Sequence, residues 1–189
     1  MENIELYQKY KNGRHWDDHP TDYAERFASF LKVQNFDGLL VDIGCGKGRD
    51  VDIFQRNEFN VLGIDVSSQE INIAQRTYPF SRFQVDSAER LSFPENCVGA
   101  FYMVNVIHYT DREKAVSEMY RTLKDKGFSF MHFNLSVVDK DGNVDYQQDE
   151  EEVKKLILPF DIVESQRIQR IDSKPIEHTH DILELILQK

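Results

Sequence analysis

The stretch Leu39-Leu40-Val41-Asp42-Ile43-Gly44-Cys45-Gly46-Lys47-Gly48 decides the fold class of this chain. Apolar residues around one acid run directly into a loop with glycine at every second position, and a helical pattern follows. A buried strand that ends in such a loop lets the backbone approach a ligand where side chains would collide. The helix that follows offers unpaired N–H groups at its first turn. The stretch therefore predicts a strand, loop and helix that bind a nucleotide cofactor.

The glycine spacing indicates which cofactor is bound. A dinucleotide-binding fingerprint requires Gly-x-Gly-x-x-Gly, and Arg49 occupies its third glycine position here. The sequence that is present resembles the first motif of class I S-adenosylmethionine-dependent methyltransferases. That resemblance implies S-adenosyl-L-methionine as the cofactor, held by the acid and the loop. The residues it assigns to the cofactor site are Asp42, Gly44, Cys45, Gly46 and Gly48.

A second apolar segment, Asn60 to Ile64, ends in Asp65, 17 residues after Gly48. A carboxylate at the tip of a second strand can accept hydrogen bonds from both ribose hydroxyls. In the family that the chain resembles, this position holds the ribose of the cofactor, and we place the next residue, Val66, in the same site. A solvated acid at a strand end is the alternative for Asp65. The sequence Ser67-Ser68-Gln69-Glu70 has the form of a capping box and predicts that a helix begins there.

The segment from Asp86 to Asn96 resembles the acid-Ala-Glu-x-Leu-Pro-Phe segment that follows the third strand in many small-molecule members of the family. There the acid lies at the adenine amino group. The chain departs from this pattern, since Ser87 stands where the acid is expected, Ser92 replaces the usual proline, and Gly99 replaces an acid before the fourth strand. Asp86 is therefore the expected adenine contact, with Ser87 as the alternative one residue later.

The segment from Ala100 to Tyr109 resembles the fourth strand of the family and the loop that carries substrate chemistry. Asn105 is assigned to the cofactor site on this resemblance. Methyl transfer from a sulfonium depends mainly on alignment, and a general base is needed only when the acceptor must lose a proton. His108 is the candidate base by position, and Tyr109 is the candidate for orienting the acceptor. A structural histidine and a packing tyrosine are the alternatives.

Strands and helices alternate along the chain. Strands are predicted near 39–43, 60–64, 82–86, 99–104 and 127–134, then near 161–170 and 181–188. Helices are predicted near 2–12, closed by Gly13, near 21–34, and from Asp149, after a hairpin that turns at Asp141-Gly142. Alternation of this kind indicates a parallel sheet with helices on both faces. The fold class is therefore α/β, a three-layer Rossmann-like sandwich whose seven-stranded, mostly parallel sheet has an antiparallel last strand, as the resemblance implies.

With 189 residues, the chain is expected to form one domain. Its parts are an N-terminal helical segment (1–35), a cofactor-binding core (36–134) and a C-terminal part that completes the sheet (135–189). The net charge of −10, from 33 acids and 23 bases, argues against a nucleic-acid substrate. No apolar run is long enough to span a membrane. The two cysteines, Cys45 and Cys97, do not suggest a disulfide framework, so a cytoplasmic location is predicted.

Other polar patterns are weaker signals. The acids between Asp139 and Glu150 have the spacing of a calcium loop, but Val144 stands where that loop requires glycine. His178 and His180 share one face of a strand, yet no third ligand is evident, so a solvent-facing or hydrogen-bonded pair is expected and no metal site is predicted. Three residues ahead of the core are equally suited to contacting a substrate or to packing. They are Trp16, His19 and Tyr23.

The absence of several family motifs narrows the class of methyl acceptor. The sequence Asn105-Val106-Ile107-His108 lacks the prolines of amino-methylating DNA enzymes, and no Pro-Cys nucleophile is present. The acids of magnesium-dependent catechol-type enzymes have no clear counterpart. The expected activity is therefore methyl transfer to a small-molecule acceptor without a metal. Two alternatives stay open: a nicotinamide-dependent oxidoreductase, and a non-catalytic S-adenosylmethionine-binding or regulatory protein.

Overall fold

The computed structural model describes residues 22–173 and 176–189. The predicted helix near 2–12, with Gly13, Trp16 and His19, lies outside these residues. The helices are α1 (Asp22–Val33), α2 (Arg49–Arg56), α3 (Ser68–Thr77), α4 (Arg112–Thr122) and α5 (Glu150–Leu156). The strands are β1 (Leu39–Ile43), β2 (Asn60–Asp65), β3 (Phe83–Val85), β4 (Val98–Met103), β5 (Leu123–Asp139), β6 (Val144–Gln147), β7 (Asp161–Asp172) and β8 (His178–Gln188).

The strands form one mixed sheet in the order β3-β2-β1-β4-β5-β8-β7, and β6 pairs with β5 outside this path. The first five strands run parallel to one another, whereas β8 is antiparallel to both of its neighbours, β5 and β7. This confirms the predicted fold class and the antiparallel last strand. β1 has β2 on one side and β4 on the other. The strand order reverses there, so the crevice between the ends of β1 and β4 is the topological switch point.

Two differences from the prediction concern β5 and β6. The strand predicted over 127–134 begins at Leu123, directly after α4, and continues to Asp139. Its second half pairs with β8 and with β6, and this antiparallel pairing satisfies the backbone groups beyond the parallel part of the sheet. β6 is the second strand of the predicted hairpin and brings the sheet to eight strands. Gly142, with φ 86°, lies in the turn of that hairpin as predicted.

The sheet has an apolar core on each face. Neighbouring strand residues such as Leu40 and Val41 contribute to opposite cores because side chains alternate across a strand. One core lies against α1, α2 and α3 and contains the aromatic rings of Phe27, Phe54 and Tyr102. The other lies against α4 and α5. These three layers match the predicted sandwich.

The antiparallel strands project beyond the parallel part of the sheet. β4 ends at Met103, opposite Met131, whereas the β5–β8 pairing continues to Asp139 opposite His178. Eight further residues at the rise of a strand extend about 26 Å. The end of β8 that carries His178 therefore lies on the same side as the loops that follow β1 and β4. Among the described residues, no helix is both long and apolar enough to cross a bilayer.

Candidate active site

The glycine loop lies at the carboxyl end of β1 and is fixed by backbone hydrogen bonds to the neighbouring strand. Gly44 N and Cys45 N both donate to the carbonyl oxygen of Ile64, over 2.8 and 3.0 Å. Gly48 N donates to the Cys45 carbonyl over 2.9 Å, and Gly48 then forms the N-terminal cap of α2 with a left-handed φ of 87°. This is the strand, loop and helix that the sequence predicts.

The three loop glycines differ in their surroundings. A Cβ at Gly44 would lie 2.2 Å from Val106 Cγ2, and one at Gly48 would lie 2.6 Å from the Phe83 ring. A Cβ at Gly46, by contrast, would meet no atom within 4 Å. Gly44 and Gly48 therefore allow close packing of the loop against its neighbours. The space above Gly46 is left open, as a cradle for a bound group requires.

Asp65 lies at the end of β2 and faces this loop. Its Oδ2 accepts a hydrogen bond from Gly46 N over 3.0 Å, and its Oδ1 accepts one from Ser67 N over 2.8 Å. Each oxygen has a further lone pair, so the carboxylate can accept more hydrogen bonds while its position is fixed. The next residue, Val66, is 70% exposed and presents an apolar side chain beside it.

Asp86 lies next to Asp65, since Asp86 N donates to the Asp65 carbonyl over 3.1 Å. Its carboxylate accepts hydrogen bonds from Ser87 N and from both the backbone N and the Oγ of Ser92. The serine that replaces the usual proline is therefore the partner that holds Asp86. Ser87 Oγ accepts a hydrogen bond from Glu89 N over 3.3 Å. The structure thus brings both candidate adenine residues to the edge that carries the glycine loop.

Asp42 is a buried acid in β1, two residues before the first glycine of the loop. It is 4% exposed, and burial, with the nearby Asp50 carboxylate, raises its pKa well above the ordinary value. Arg49 Nε lies 3.4 Å from Asp50 Oδ1, and Tyr102 Oη donates to Asp50 Oδ2 over 3.3 Å. The sequence analysis did not assign Asp50 or Tyr102 to this site. The position of Asp50 directly after the loop was the signal available for it.

Cys45 is buried in the same loop. Burial, and then the Asp42 and Asp65 carboxylates, raise the pKa of its thiol, so the thiol stays protonated. A neutral thiol is a poor nucleophile. Cys45 therefore acts as a small apolar side chain in the loop.

The loop after β4 contacts the glycine loop, because Val106 fills the space that glycine leaves at position 44. Asn105 has a left-handed φ of 60°, which asparagine tolerates better than most residues. His108 lies in a short 3₁₀ helix (Ile107–Tyr109) and is 3% exposed. Its ring centroid is 4.2 Å from that of Tyr109 and 6.3 Å from that of Tyr146.

Tyr146 comes from β6, so the hairpin contributes to the surroundings of His108. The Tyr146 hydroxyl accepts a hydrogen bond from Arg112 and donates one to Gln148 Oε1 over 3.0 Å. Burial raises the pKa of this hydroxyl, although Arg112 opposes the change. The sequence predicted the hairpin, but Tyr146 was not among the predicted site residues.

Two other candidate residues have structural partners. The Tyr23 ring packs edge-on against the His132 ring, with centroids 4.2 Å apart, which favours its packing role. The Asp139 carboxylate accepts hydrogen bonds from Asp141 N, Asn143 N and Asn143 Nδ2. That acid therefore closes the hairpin turn.

Comparisons with known proteins agree with this fold. Residues 41–131 match the family model of the methyltransferase domain. An O-methyltransferase of Pyrenophora dematioidea is 24% identical over 127 residues, which cover 58% of this chain and 48% of that protein. The ubiquinone/menaquinone biosynthesis C-methyltransferase UbiE of Campylobacter jejuni is 29% identical over 96 residues, or 47% of this chain and 41% of that protein. The chain thus spans less than half the length of these two curated relatives.

Among solved structures, the chain is similar to 1,6-didemethyltoxoflavin-N1-methyltransferase from Burkholderia thailandensis, which was crystallised with its substrate and S-adenosylhomocysteine. The TM-score is 0.68 at 18% identity, over 99% of this chain and 86% of that one. At this identity the likeness establishes the fold. Residues 41–131 therefore match the methyltransferase domain family, and the chain has the same Rossmann-like fold as this solved methyltransferase.

Proposed function

We propose that this protein transfers a methyl group from S-adenosyl-L-methionine to a small-molecule acceptor. The observation that carries the proposal is the position of the Asp65 carboxylate, which is fixed by Gly46 N beside the open space of the glycine loop. A carboxylate held in this way at a strand end suits a ribose with two free hydroxyls. The name and bound ligand of the Burkholderia structure support the same cofactor and the same class of acceptor.

The other site residues suit the remaining parts of the cofactor. Val66 offers an exposed apolar surface beside Asp65, suited to the face of an aromatic ring. Asp86 and Ser87 lie on the loop next to it, where the adenine would be held. The Asp65 carboxylate lies beside the loop, and its negative charge suits the positive charges of the cofactor.

When bound, S-adenosylmethionine would supply an activated methyl group, whose carbon forms a bond to the acceptor atom in line as its bond to sulfur breaks and S-adenosylhomocysteine leaves. The protein then has mainly to align the acceptor with that methyl group. His108 and Tyr109 follow β4 on the same edge, and we propose that they contact the acceptor, whereas Asn105, at the start of this loop, contacts the cofactor. His108 is almost fully buried beside Tyr146. It can therefore act as a base only if the acceptor itself reaches the imidazole ring.

Titration calorimetry of the purified protein with S-adenosylhomocysteine, and separately with NADH, tests the cofactor. We expect binding of the first ligand alone, and a dissociation constant raised at least about tenfold in Asp65→Ala, because a lost charge-assisted hydrogen bond costs about 1.5–3 kcal/mol. Asp52→Ala is the matched control, since Asp52 pairs with Arg56 on the surface of α2 and should not affect affinity. Binding of NADH alone, or an unchanged affinity in Asp65→Ala, would refute the proposed site.

Turnover separates an enzyme from a non-catalytic binding protein. With a labelled methyl donor and a panel of small acceptors, we expect transfer by the wild type, and slower transfer by His108→Gln if the imidazole removes a proton. Cofactor affinity should be unchanged in that variant. Cofactor binding without transfer to any acceptor of the panel would favour the non-catalytic alternative.

We further propose that the protein is cytoplasmic and has no nucleic-acid partner. The two free cysteines support the location, and the net charge of −10 supports the absence of a nucleic-acid partner.

A further inference from the structure

Three potential metal ligands meet at the projecting end of the sheet. They are Asp172, the last residue of β7, and His178 and His180 at the start of β8. Asp172 is paired with His178 in the strand register, and His180 lies two residues further along the same face. All three side chains are buried. The histidine pair was visible in the sequence, but the acid that joins it was not.

The spacing of the three groups matches a metal site. Asp172 Oδ2 lies 3.3 Å from His180 Nε2 and 3.8 Å from His178 Nε2, and one ligand atom from each residue falls within 4.8 Å of the others. Two ligand atoms bound at about 2.1 Å in tetrahedral geometry around zinc are about 3.4 Å apart. An ion could therefore be bound with only small side-chain movements.

The outer nitrogens of both histidines contact oxygen atoms that orient the rings. His178 Nδ1 lies 2.6 Å from the carbonyl oxygen of Ile176, which can only accept a hydrogen bond, so this nitrogen carries the hydrogen. His180 Nδ1 lies 3.2 Å from Asn134 Oδ1. In both rings this arrangement leaves the lone pair on Nε2, the nitrogen that lies within 4 Å of Asp172 Oδ2. Metal-binding histidines show the same second hydrogen bond to a carbonyl or carboxylate.

The Asp172 carboxylate also lies close to a positive charge. Arg170 Nη2 is 3.1 Å from Asp172 Oδ2, and the Arg170 side chain is 23% exposed. Among the described residues, neither Asp172 Oδ2 nor His180 Nε2 has a well-directed hydrogen bond, although both atoms are buried. An incoming cation would satisfy both atoms and would replace the contact with the guanidinium, which can turn toward solvent.

We propose that Asp172, His178 and His180 bind one first-row transition-metal dication, such as Zn²⁺, which links the ends of β7 and β8. Two imidazoles and one carboxylate are ligands that such ions prefer. Because the ligands come from two adjacent antiparallel strands, the ion would hold the projecting end of the sheet together. This proposal does not depend on methyl transfer, and the ion takes no part in the proposed reaction.

Calorimetric titration of the tag-free, chelator-treated protein with Zn²⁺ tests the site, together with the visible absorption of bound Co²⁺. We expect one ion per chain and a rise in melting temperature on binding. Asp172→Asn and His180→Gln should each weaken binding by at least about 100-fold, because loss of a mere orienting partner already costs 10–100-fold. Glu177→Gln, which removes an exposed acid from the same hairpin, is the matched control and should bind as the wild type does.

The comparison between variants identifies the site, since the chain contains six histidines. Arg170→Gln provides a second readout, because removal of the competing cation should tighten binding. Circular dichroism of each metal-free variant shows whether it folds. The proposal is wrong if the folded wild type binds no Zn²⁺, or if folded Asp172→Asn binds Zn²⁺ as tightly as the control. It is also wrong if Arg170→Gln weakens binding.

Discussion

At the scale of single residues, the loop after β1 uses one residue type for two purposes. Gly44 and Gly48 are required because Val106 and Phe83 occupy the space of a side chain. Gly46 faces open space and gives its N–H to Asp65. All three have a positive φ, where a Cβ costs about 1–2 kcal/mol. Only the surroundings of each glycine separate packing from ligand contact.

Alanine substitutions should therefore separate stability from binding. We expect Gly44→Ala to lower the free energy of unfolding by about 2–4 kcal/mol, because a tight steric contact adds to the positive φ. Gly46→Ala should cost only about 1–2 kcal/mol but should weaken binding of S-adenosylhomocysteine more than tenfold, because its methyl group enters the proposed cradle. Chemical denaturation and calorimetry measure the two effects. If the two variants lost the same stability and bound S-adenosylhomocysteine with the same affinity, the separate roles of Gly44 and Gly46 would be contradicted.

At the scale of elements, the start of α3 links helix capping to the site. Ser67 Oγ accepts a hydrogen bond from Glu70 N over 3.2 Å, which confirms the predicted cap, while Ser67 N donates to Asp65. The side chain of Ser67 therefore stabilises the helix, and its backbone positions the carboxylate. Asp111 and Asp149 cap α4 and α5 in the same way, since their side chains accept hydrogen bonds from Lys114 N and Glu151 N.

Ser67→Ala should lower the free energy of unfolding by about 1 kcal/mol, as is usual for a lost N-cap. Affinity for S-adenosylhomocysteine should change little, since the hydrogen bond to Asp65 comes from the backbone. Ser68→Ala, at the exposed first position of the helix, is the control and should be close to neutral. A large loss of affinity in folded Ser67→Ala would show that the side chain itself takes part in the site.

At the scale of the whole molecule, a polar bridge through the buried Glu184 carboxylate joins α1 to the sheet. Arg26 contacts both carboxylate oxygens of Glu184, over 2.5 and 2.6 Å, and His132 Nε2 donates to the same carboxylate over 2.8 Å. Burial lowers the pKa of His132 below the ordinary 6.5, an effect that outweighs the attraction of Glu184. Burial acts to raise the pKa of Glu184, but hydrogen bonds from His132 and Arg26 hold it below the ordinary value.

Stability should consequently fall in acid. Because His132 is harder to protonate in the folded state, the unfolded chain binds more protons as the pH drops below 6.5, and Glu184 adds to this below about 4.5. One proton taken up on unfolding gives a slope of at most about 1.4 kcal/mol per pH unit. Denaturation between pH 7.5 and pH 5 measures it, and His132→Gln should reduce the slope. If the slope is the same in His132→Gln as in the wild type, other titratable groups cause the pH dependence of stability.

The local signals were sufficient for much of the fold. Glycine spacing and alternating apolar segments predicted β1, β2 and β4 to within one residue, and the capping box predicted the start of α3. The full length of β5 was not predicted, because its second half is a strand only through pairing with β6 and β8. Asp86 was predicted from a resemblance, but its bond to Ser92 depends on the conformation of the loop.

The sequence by itself determined the parallel core and the cofactor loop, because both depend on short-range backbone preferences and on a regular apolar pattern. Only the tertiary structure decided which polar groups meet. Asp50 reaches Tyr102 across two elements, Glu184 joins Arg26 to His132, and Asp172 completes the group with His178 and His180. These contacts depend on strand register and helix docking. Burial then removes the competition of water and gives such contacts their strength.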